Sequence, residues 1–181
     1  MKYREEPIKQ EVIYDGKVIK VRKDIAINTL DKEVFREVVE HPGGVGIALE
    51  DKDGLFYLVR QYRYGQGKEM LEFPAGKKEK GEDPLETARR EIIEETGYEG
   101  IDFECLGEIV PTPAYDTEVI NLYYAKEGKK IGQSLDEDEY VEIEKYSLKE
   151  IIDMIVKGEI TDAKTVAMAF LIKEKKEKEN E

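Results

Sequence analysis

The residues with the most chemistry to offer lie in positions 76–98, GKKEKGEDPLETARREIIEETGY. Asp83 as N-cap, Pro84 at the first helical position, Glu86 completing a capping box and Gly97 as C-cap mark out a helix. On that helix Leu85, Ala88 and Ile92 form a narrow apolar stripe, and Glu91, Glu94 and Glu95 fall on an arc of about 100° beside it. Like charges at these spacings repel by a few tenths of a kcal/mol per pair in water, and by more at the edge of a core. A bound divalent cation turns that repulsion into ligation, and a hard ion such as Mg²⁺ prefers oxygen ligands. The competing reading is a solvated acidic helix face. Other catalytic equipment is scarce: one histidine (His41), two serines (Ser134 and Ser147) and one cysteine (Cys105). A Ser-His-Asp arrangement has little to build from, no His or Cys cluster can hold a transition metal, and an internal disulfide is excluded.

In register, Gly76, Glu82, Arg90, Glu91, Ile92, Glu94, Glu95 and Gly97 match the pattern G-x5-E-x7-R-E-U-x-E-E-x-G-U, in which U is a bulky apolar residue. Tyr98 takes the last position, where an aliphatic is usual. The segment resembles the Nudix box. That resemblance implies a Nudix hydrolase, which cleaves a nucleoside diphosphate linked to another moiety and uses Mg²⁺, with Mn²⁺ as a substitute. It implies Glu91 and Glu95 as the main metal ligands, with Glu94 assisting and the Ala75 carbonyl contributing an oxygen. Arg90 then orients a glutamate, and Glu82 supports the ligands from behind. The residue types suit the reaction. A pyrophosphate repels nucleophiles through its own charge, so cations must neutralise it and a carboxylate must take the proton from water.

Three further segments resemble the ADP-ribose pyrophosphatases of that family. FREVVEHPGGV (35–45) is similar to their R-E-x-x-x-H/R-x-G stretch. The likeness implies an N-terminal region exchanged between the subunits of a homodimer, with Arg36 and Glu37 contacting adenine from the partner chain. Val18 stands where some members place a stacking Trp, and the Arg36 guanidinium is a substitute. PTPAYDTE (111–118) resembles S-P-G-x-x-x-E, with Thr112 for Ser, Ala114 for Gly and Glu118 as the acid; Thr112 and Glu118 become substrate contacts. The spacing from Tyr98 to Pro113 goes with ADP-ribose, whereas Tyr115 stands where dinucleoside polyphosphate hydrolases carry a tyrosine. The N-terminal segment favours the first. LDEDEYVEI (135–143) resembles the acidic loop before the last strand. It places the general base on Glu137 and a further metal contact on Glu139, two roles that stay open to exchange. Arg63, in VRQYR, matches an arginine that reaches substrate phosphates, and Arg60 is the fallback on the opposite strand face.

The elements that must position these residues are mostly strands. Two β-rich runs flank the turn at Asp15-Gly16, a third covers 33–40, and His41-Pro42-Gly43-Gly44 breaks the pattern. Strands are predicted near 45–50, 55–63, 69–74, 102–110, 118–125 and 140–146, with helices over 84–96, 148–158 and 161–176. The last helix is apolar almost all round in its middle and is therefore expected to be buried. Cys105 is expected to be a small buried hydrophobe, and His41 a turn residue. The expected fold is α/β (α+β): the Nudix fold, a mixed sheet sandwiched between helices, with an N-terminal antiparallel β appendage. Residues 1–42 form that appendage, with a role in dimerisation, and 43–181 the hydrolase domain.

With 181 residues, 40% hydrophobic and 39% charged, the chain has material for one such domain and its appendage. A net charge of −13 excludes nucleic acid or an anionic membrane as the main partner, and it makes a local cation such as Arg63 necessary for an anionic substrate. The longest apolar run, Val166 to Ile172, is too short to span a bilayer. The start MKYREEPIKQ lacks the apolar stretch of a secretory signal, so a cytoplasmic protein is expected. The expected reaction is Mg²⁺-dependent conversion of ADP-ribose to AMP and ribose 5-phosphate by a homodimer. The alternatives are another nucleoside diphosphate sugar, such as a GDP-sugar, or a dinucleoside polyphosphate as substrate, or a non-catalytic Nudix-fold regulator. The intact Glu91, Glu94 and Glu95 set speaks against the last, because a binding module has no need to tolerate clustered carboxylates.

Overall fold

The computed structural model describes residues 3–135 and 140–179. Its contacts divide the chain into two compact units, Met1–Gly43 with Val110–Val119, and Gly44–Ile109 with Ile120–Glu181.

In the first unit, strands β1 (Glu5–Asp15), β2 (Lys20–Asn28) and β3 (Glu33–Glu40) form an antiparallel sheet in that order. The β1–β2 connection closes through Gly16 N–H donating to the Ile19 carbonyl (3.0 Å). At the β2–β3 turn the Asn28 side chain accepts from the N–H groups of Leu30 (2.9 Å) and Lys32 (3.1 Å), and Asp31 takes a left-handed φ of 55°. Asp24 is buried, paired with Arg22, which also reaches Glu40. The segment Val110–Val119 joins this unit by a parallel bridge at Val39↔Asp116: Val39 N–H donates to Tyr115 O (2.7 Å) and Thr117 N–H to Val39 O (3.0 Å). β1 is exposed along its whole length, including Ile8, Val12, Ile13 and Tyr14.

The second unit contains a seven-stranded mixed sheet. It is built from β4 (Gly44–Glu50), β5 (Leu55–Arg63), β6 (Lys68–Glu72), β7 (Ala75–Lys77), β8 (Tyr98–Ile109), β9 (Ile120–Lys130) and β10 (Val141–Ser147). The helices are α1 (Pro84–Thr96), α2 (Leu148–Lys157) and α3 (Ala163–Glu179). The main path runs β10-β5-β4-β9-β8, and only β4–β9 is parallel. β4 and β5 pair at Glu50↔Phe56 and then diverge. β6 takes the freed edge of β5, from Val59↔Glu72 to Arg63↔Lys68, while β7 takes that of β4, from Gly44↔Lys77 to Gly46↔Ala75. Residues 72–75 therefore sit in the fork of the sheet, held there by Ile47 N–H donating to Pro74 O (2.8 Å).

Alternation along the strands supplies two cores. Val45, Ile47, Leu49, Tyr57, Tyr123 and Ala125 pack with Ala88 and Ile92 of α1. Ala48, Phe56, Leu58, Leu122 and Tyr124 pack with Ile151 of α2 and Met168, Ala169 and Ile172 of α3. The mixed sheet lies between helices, and an antiparallel sheet precedes it, as the fold class required.

Four local expectations are corrected. β8 begins at Tyr98, directly after the helix, because bulges near Tyr98/Gly100, Ile101/Glu104 and Cys105/Gly107 hide its alternation. The capping box of α1 is half made: the Asp83 carboxylate accepts from Leu85 N–H (2.9 Å), but Glu86 pairs with Arg89 (3.5 Å) instead of reaching back. In α3, Met168, Ala169 and Ile172 are buried, but Phe170 and Leu171 are exposed, so one face alone meets the sheet. Cys105 is exposed, because β8 is the edge strand.

Candidate active site

Helix α1 ends with Gly97 in the left-handed region (φ 77°), donating its N–H to Ile93 O (2.8 Å). The carbonyls of the last turn are taken up by residues that lead into the acidic loop. Gln133 Nε2 donates to Glu95 O (2.8 Å), Ser134 N–H to Glu94 O (3.1 Å), and Ile131 and Gly132 N–H to Gly97 O (2.8 and 2.9 Å). The base and metal contact expected at Glu137 and Glu139 lie outside the described residues.

Arg90 is the hub of the acidic face. Its Nη1 donates to Glu91 Oε1 (2.8 Å) and Glu94 Oε2 (2.9 Å). Its Nε and Nη2 donate to the two oxygens of Glu82 (3.2 and 3.1 Å), and Nη2 also to Lys77 O (3.3 Å). The hydrogen bond from Arg90, joined by Glu79 N–H, holds the Glu82 carboxyl down to about 2, and the same bond to Glu82 raises Arg90 in turn. Glu95 is different. Only 6% exposed, it accepts from Ala75 N–H (3.0 Å), and burial pushes its carboxyl up to about 8, with the Glu91 charge adding to the push. Gly76 passes so close that a Cβ there would overlap the Glu91 carboxyl group. Any larger side chain there displaces that carboxyl group.

Arg63 is in the same unit but not on this helix. Its Nε and Nη2 donate to both oxygens of Glu72 (2.8 and 2.7 Å), and Glu72 is also bonded by the Lys164 ammonium. Burial alone would raise the Glu72 carboxyl; the hydrogen bond from Arg63 and the charges of Lys164 and Arg63 outweigh it and hold it down to about 2. Arg60, on the other strand face, pairs with Glu144 (2.5 Å). The sequence reading missed Glu72 and Lys164. A lone acid between Leu71 and Phe73 was a signal for the first; nothing local marked the second.

In the first unit, Arg36 donates to both oxygens of Glu5 (2.8 and 2.5 Å) and Glu37 is exposed. The Thr112 carbonyl accepts from Asp116 N–H (3.1 Å), closing a turn. Glu118 lies 3.3 Å from His41 Nδ1, and His41 N–H donates to Thr117 Oγ1 (3.0 Å), so the expected turn histidine also anchors this loop.

The donor set on and before α1 is oxygen only: the carboxylates of Glu82, Glu91 and Glu94 around one guanidinium, and the buried carboxyl of Glu95, which, among the described residues, no cation in contact neutralises. That excess of negative charge fits a hard divalent ion. Among the described residues no three acids face a common point. Glu91 and Glu94 are drawn to Arg90, and Glu95 to the Ala75 backbone.

The NUDIX domain model matches residues 40–168, and the chain belongs to the Nudix family. It is a Nudix hydrolase related to ADP-ribose pyrophosphatases. A protein from Bacillus methanolicus named methanol dehydrogenase activator is 40% identical over 166 residues, which is 91% of this chain and 90% of that one. An ADP-ribose pyrophosphatase from Bacillus subtilis (strain 168) is 34% identical over 163 residues, 89% of this chain and 88% of that one. A crystal structure of an ADP compounds hydrolase superposes with a TM-score of 0.83 at 21% identity, covering 94% of this chain and 93% of its own, which shows the shared fold.

Proposed function

We propose that this protein hydrolyses the pyrophosphate bond of ADP-ribose to AMP and ribose 5-phosphate, in a Mg²⁺-dependent reaction carried out by a homodimer. The observation that carries the reading is the acidic face of α1, where one guanidinium, that of Arg90, holds the carboxylates of both Glu91 and Glu94 and burial with the Glu91 charge pushes the Glu95 carboxyl up. Glu91, Glu94 and Glu95, with the Ala75 carbonyl and Glu139, would hold the metal. When bound, that ion neutralises the phosphoanhydride and acidifies the attacking water. The chain's own residues do the rest. Arg90 fixes the rotamers of Glu91 and Glu94, Arg63 binds phosphate oxygens, and Glu137 takes the proton. Arg36 and Glu37 contact the adenine of a substrate held by a second copy, and Thr112 and Glu118 the remainder of the substrate. The exposed apolar residues of β1 support a partner strand, since a long uncovered edge invites pairing.

The test is phosphate release from a panel of nucleoside diphosphate compounds, coupled to phosphatase, with and without a chelator. ADP-ribose is expected to give the highest kcat/KM, with activity lost on chelation. A GDP-sugar or a dinucleoside polyphosphate as the best substrate would overturn the specificity. A second reading is favoured by the 40% identical relative: the chain also activates a dehydrogenase. Adding the purified protein to an alcohol dehydrogenase in the presence of NAD tests it, and unchanged turnover refutes it.

A further inference from the structure

We propose that Glu72 and Lys164 form a buried positioning pair that presents Arg63 to the anionic substrate with its guanidinium already oriented. This rests on the reading of Arg63 as a phosphate-binding residue. The geometry is that of a clamp. Both Glu72 oxygens are taken by the Nε and Nη2 edge of Arg63, which leaves the Nη1 donors for another acceptor. Glu72 is 1% exposed, yet the Arg63 side chain is 40% exposed, so the fixed end of the pair lies in the core and the usable end faces outward.

The clamp is itself bolted in place from α3. Lys164, 5% exposed, bonds the Glu72 oxygen that Arg63 Nη2 also uses, and donates to Asp162 (2.9 Å). Asp162 accepts from Thr165 N–H (2.9 Å) and Thr165 Oγ1 (2.6 Å), and Thr165 Oγ1 accepts from Phe73 N–H (2.9 Å). The start of α3 is thus tied at two consecutive residues to Glu72, the last residue of β6, and to Phe73, which follows it.

Stability is a poor explanation for such a network, because replacing a buried ion pair with apolar side chains is often neutral or favourable. Orientation is a better one. A mobile arginine loses its rotamer freedom when it binds a phosphate, whereas a bidentate, buried partner has fixed the guanidinium beforehand. Lys164 supplies a second positive charge to Glu72, so Arg63 does not have to neutralise that carboxylate alone.

The experiment is a double-mutant cycle between Glu72→Gln and Arg63→Ala, read as KM and kcat for ADP-ribose. It is combined with ¹⁵N spectra of arginine side chains in the full-length protein. Glu72→Gln is expected to raise KM by about 10-fold with kcat little changed, the size expected for freeing one rotamer-rich side chain. In the Arg63→Ala background the same change should have no further effect. The wild-type Arg63 Nε–H should give a resolved, slowly exchanging signal that disappears in Glu72→Gln. Lys164→Met, which keeps the stem, should move KM in the same direction and serves if Glu72→Gln does not fold. A KM change undiminished in the Arg63→Ala background, or an Arg63 signal averaged by solvent exchange in the wild type, would overturn the proposal. Should the wild type hydrolyse no phosphoanhydride at all, the functional reading falls, and the Arg63 signal still decides the orientation.

Discussion

Replacing Glu95 with glutamine keeps the shape of the side chain and removes the charge that the fold tolerates least. The carboxyl is 6% exposed, with Ala75 N–H (3.0 Å) as its hydrogen-bond donor, and burial lifts it from the usual 4.5 to about 8. Between those two values the folded protein holds a proton that the unfolded chain has released, so metal-free stability falls as pH rises through this window. At about 1.4 kcal/mol per pH unit, the penalty is roughly 1 kcal/mol at pH 5, roughly 3 at pH 7 and roughly 4 at pH 8. Glutamine avoids it and keeps an acceptor for Ala75, but it buries an amide that needs a partner, a cost of about 1–2 kcal/mol. Metal-free Glu95→Gln should therefore be equal to wild type or about 1 kcal/mol less stable at pH 5, and about 2–3 kcal/mol more stable at pH 8, a change of about 3 kcal/mol across the range. Urea unfolding of both proteins in chelator from pH 5 to pH 8 measures the gap, and groups common to both proteins cancel in the difference. Adding Mg²⁺ should restore the wild type through binding to the native state and leave the variant unchanged, while turnover of the variant falls by at least about 10²-fold. A gap that is flat with pH, or a wild type that gains on the variant as pH rises, would refute the reasoning.

Gly76→Ala pushes the Glu91 carboxyl aside, so kcat should fall at least about 10-fold, the order expected for a catalytic group displaced by about an ångström. Thermal unfolding should move little, because the neighbour that gives way is the end of a side chain. Glu82, held down to about 2 by Arg90, contributes stability that is present above about pH 4.5 and is lost as pH falls through its folded value. Glu82→Gln should lack this contribution and unfold at a higher pH on acid titration followed by circular dichroism. Glu137→Gln should lower kcat by about 10²–10⁴-fold with KM roughly unchanged, as expected for a general base. If Glu139→Gln does so instead, the two roles exchange, and if neither does, the base lies elsewhere. Deleting residues 1–42 should give a monomer by light scattering with greatly weakened substrate binding, whereas an unchanged KM would make the N-terminal sheet merely structural.

The sequence by itself determined the features that are local. The α1 helix lies over 84–96 because Asp83, Pro84 and Gly97 fix both ends through contacts within a few residues. The acidic face follows from helical geometry alone, so the spacing of Glu91, Glu94 and Glu95 is enough to group them. Likewise the β5 strand, 55–63, and the N-terminal hairpin were legible from alternation and a turn dipeptide. Tertiary structure decided what depends on distant partners. Glu94 resembles Glu95 in sequence, yet one meets Arg90 on the helix surface while the other is sealed beneath the Ala75 backbone, twenty positions away, where burial pushes its carboxyl up. Cys105 was misplaced because burial depends on whether a strand ends up at the edge of its sheet, which pairing order decides. The clamp on Arg63 needed Glu72 and Lys164, separated by 92 residues, to meet at the fork of the sheet. No periodicity records that meeting. It exists because β4 and β5 part after one pairing and the start of α3 is fastened to the strand that fills the gap.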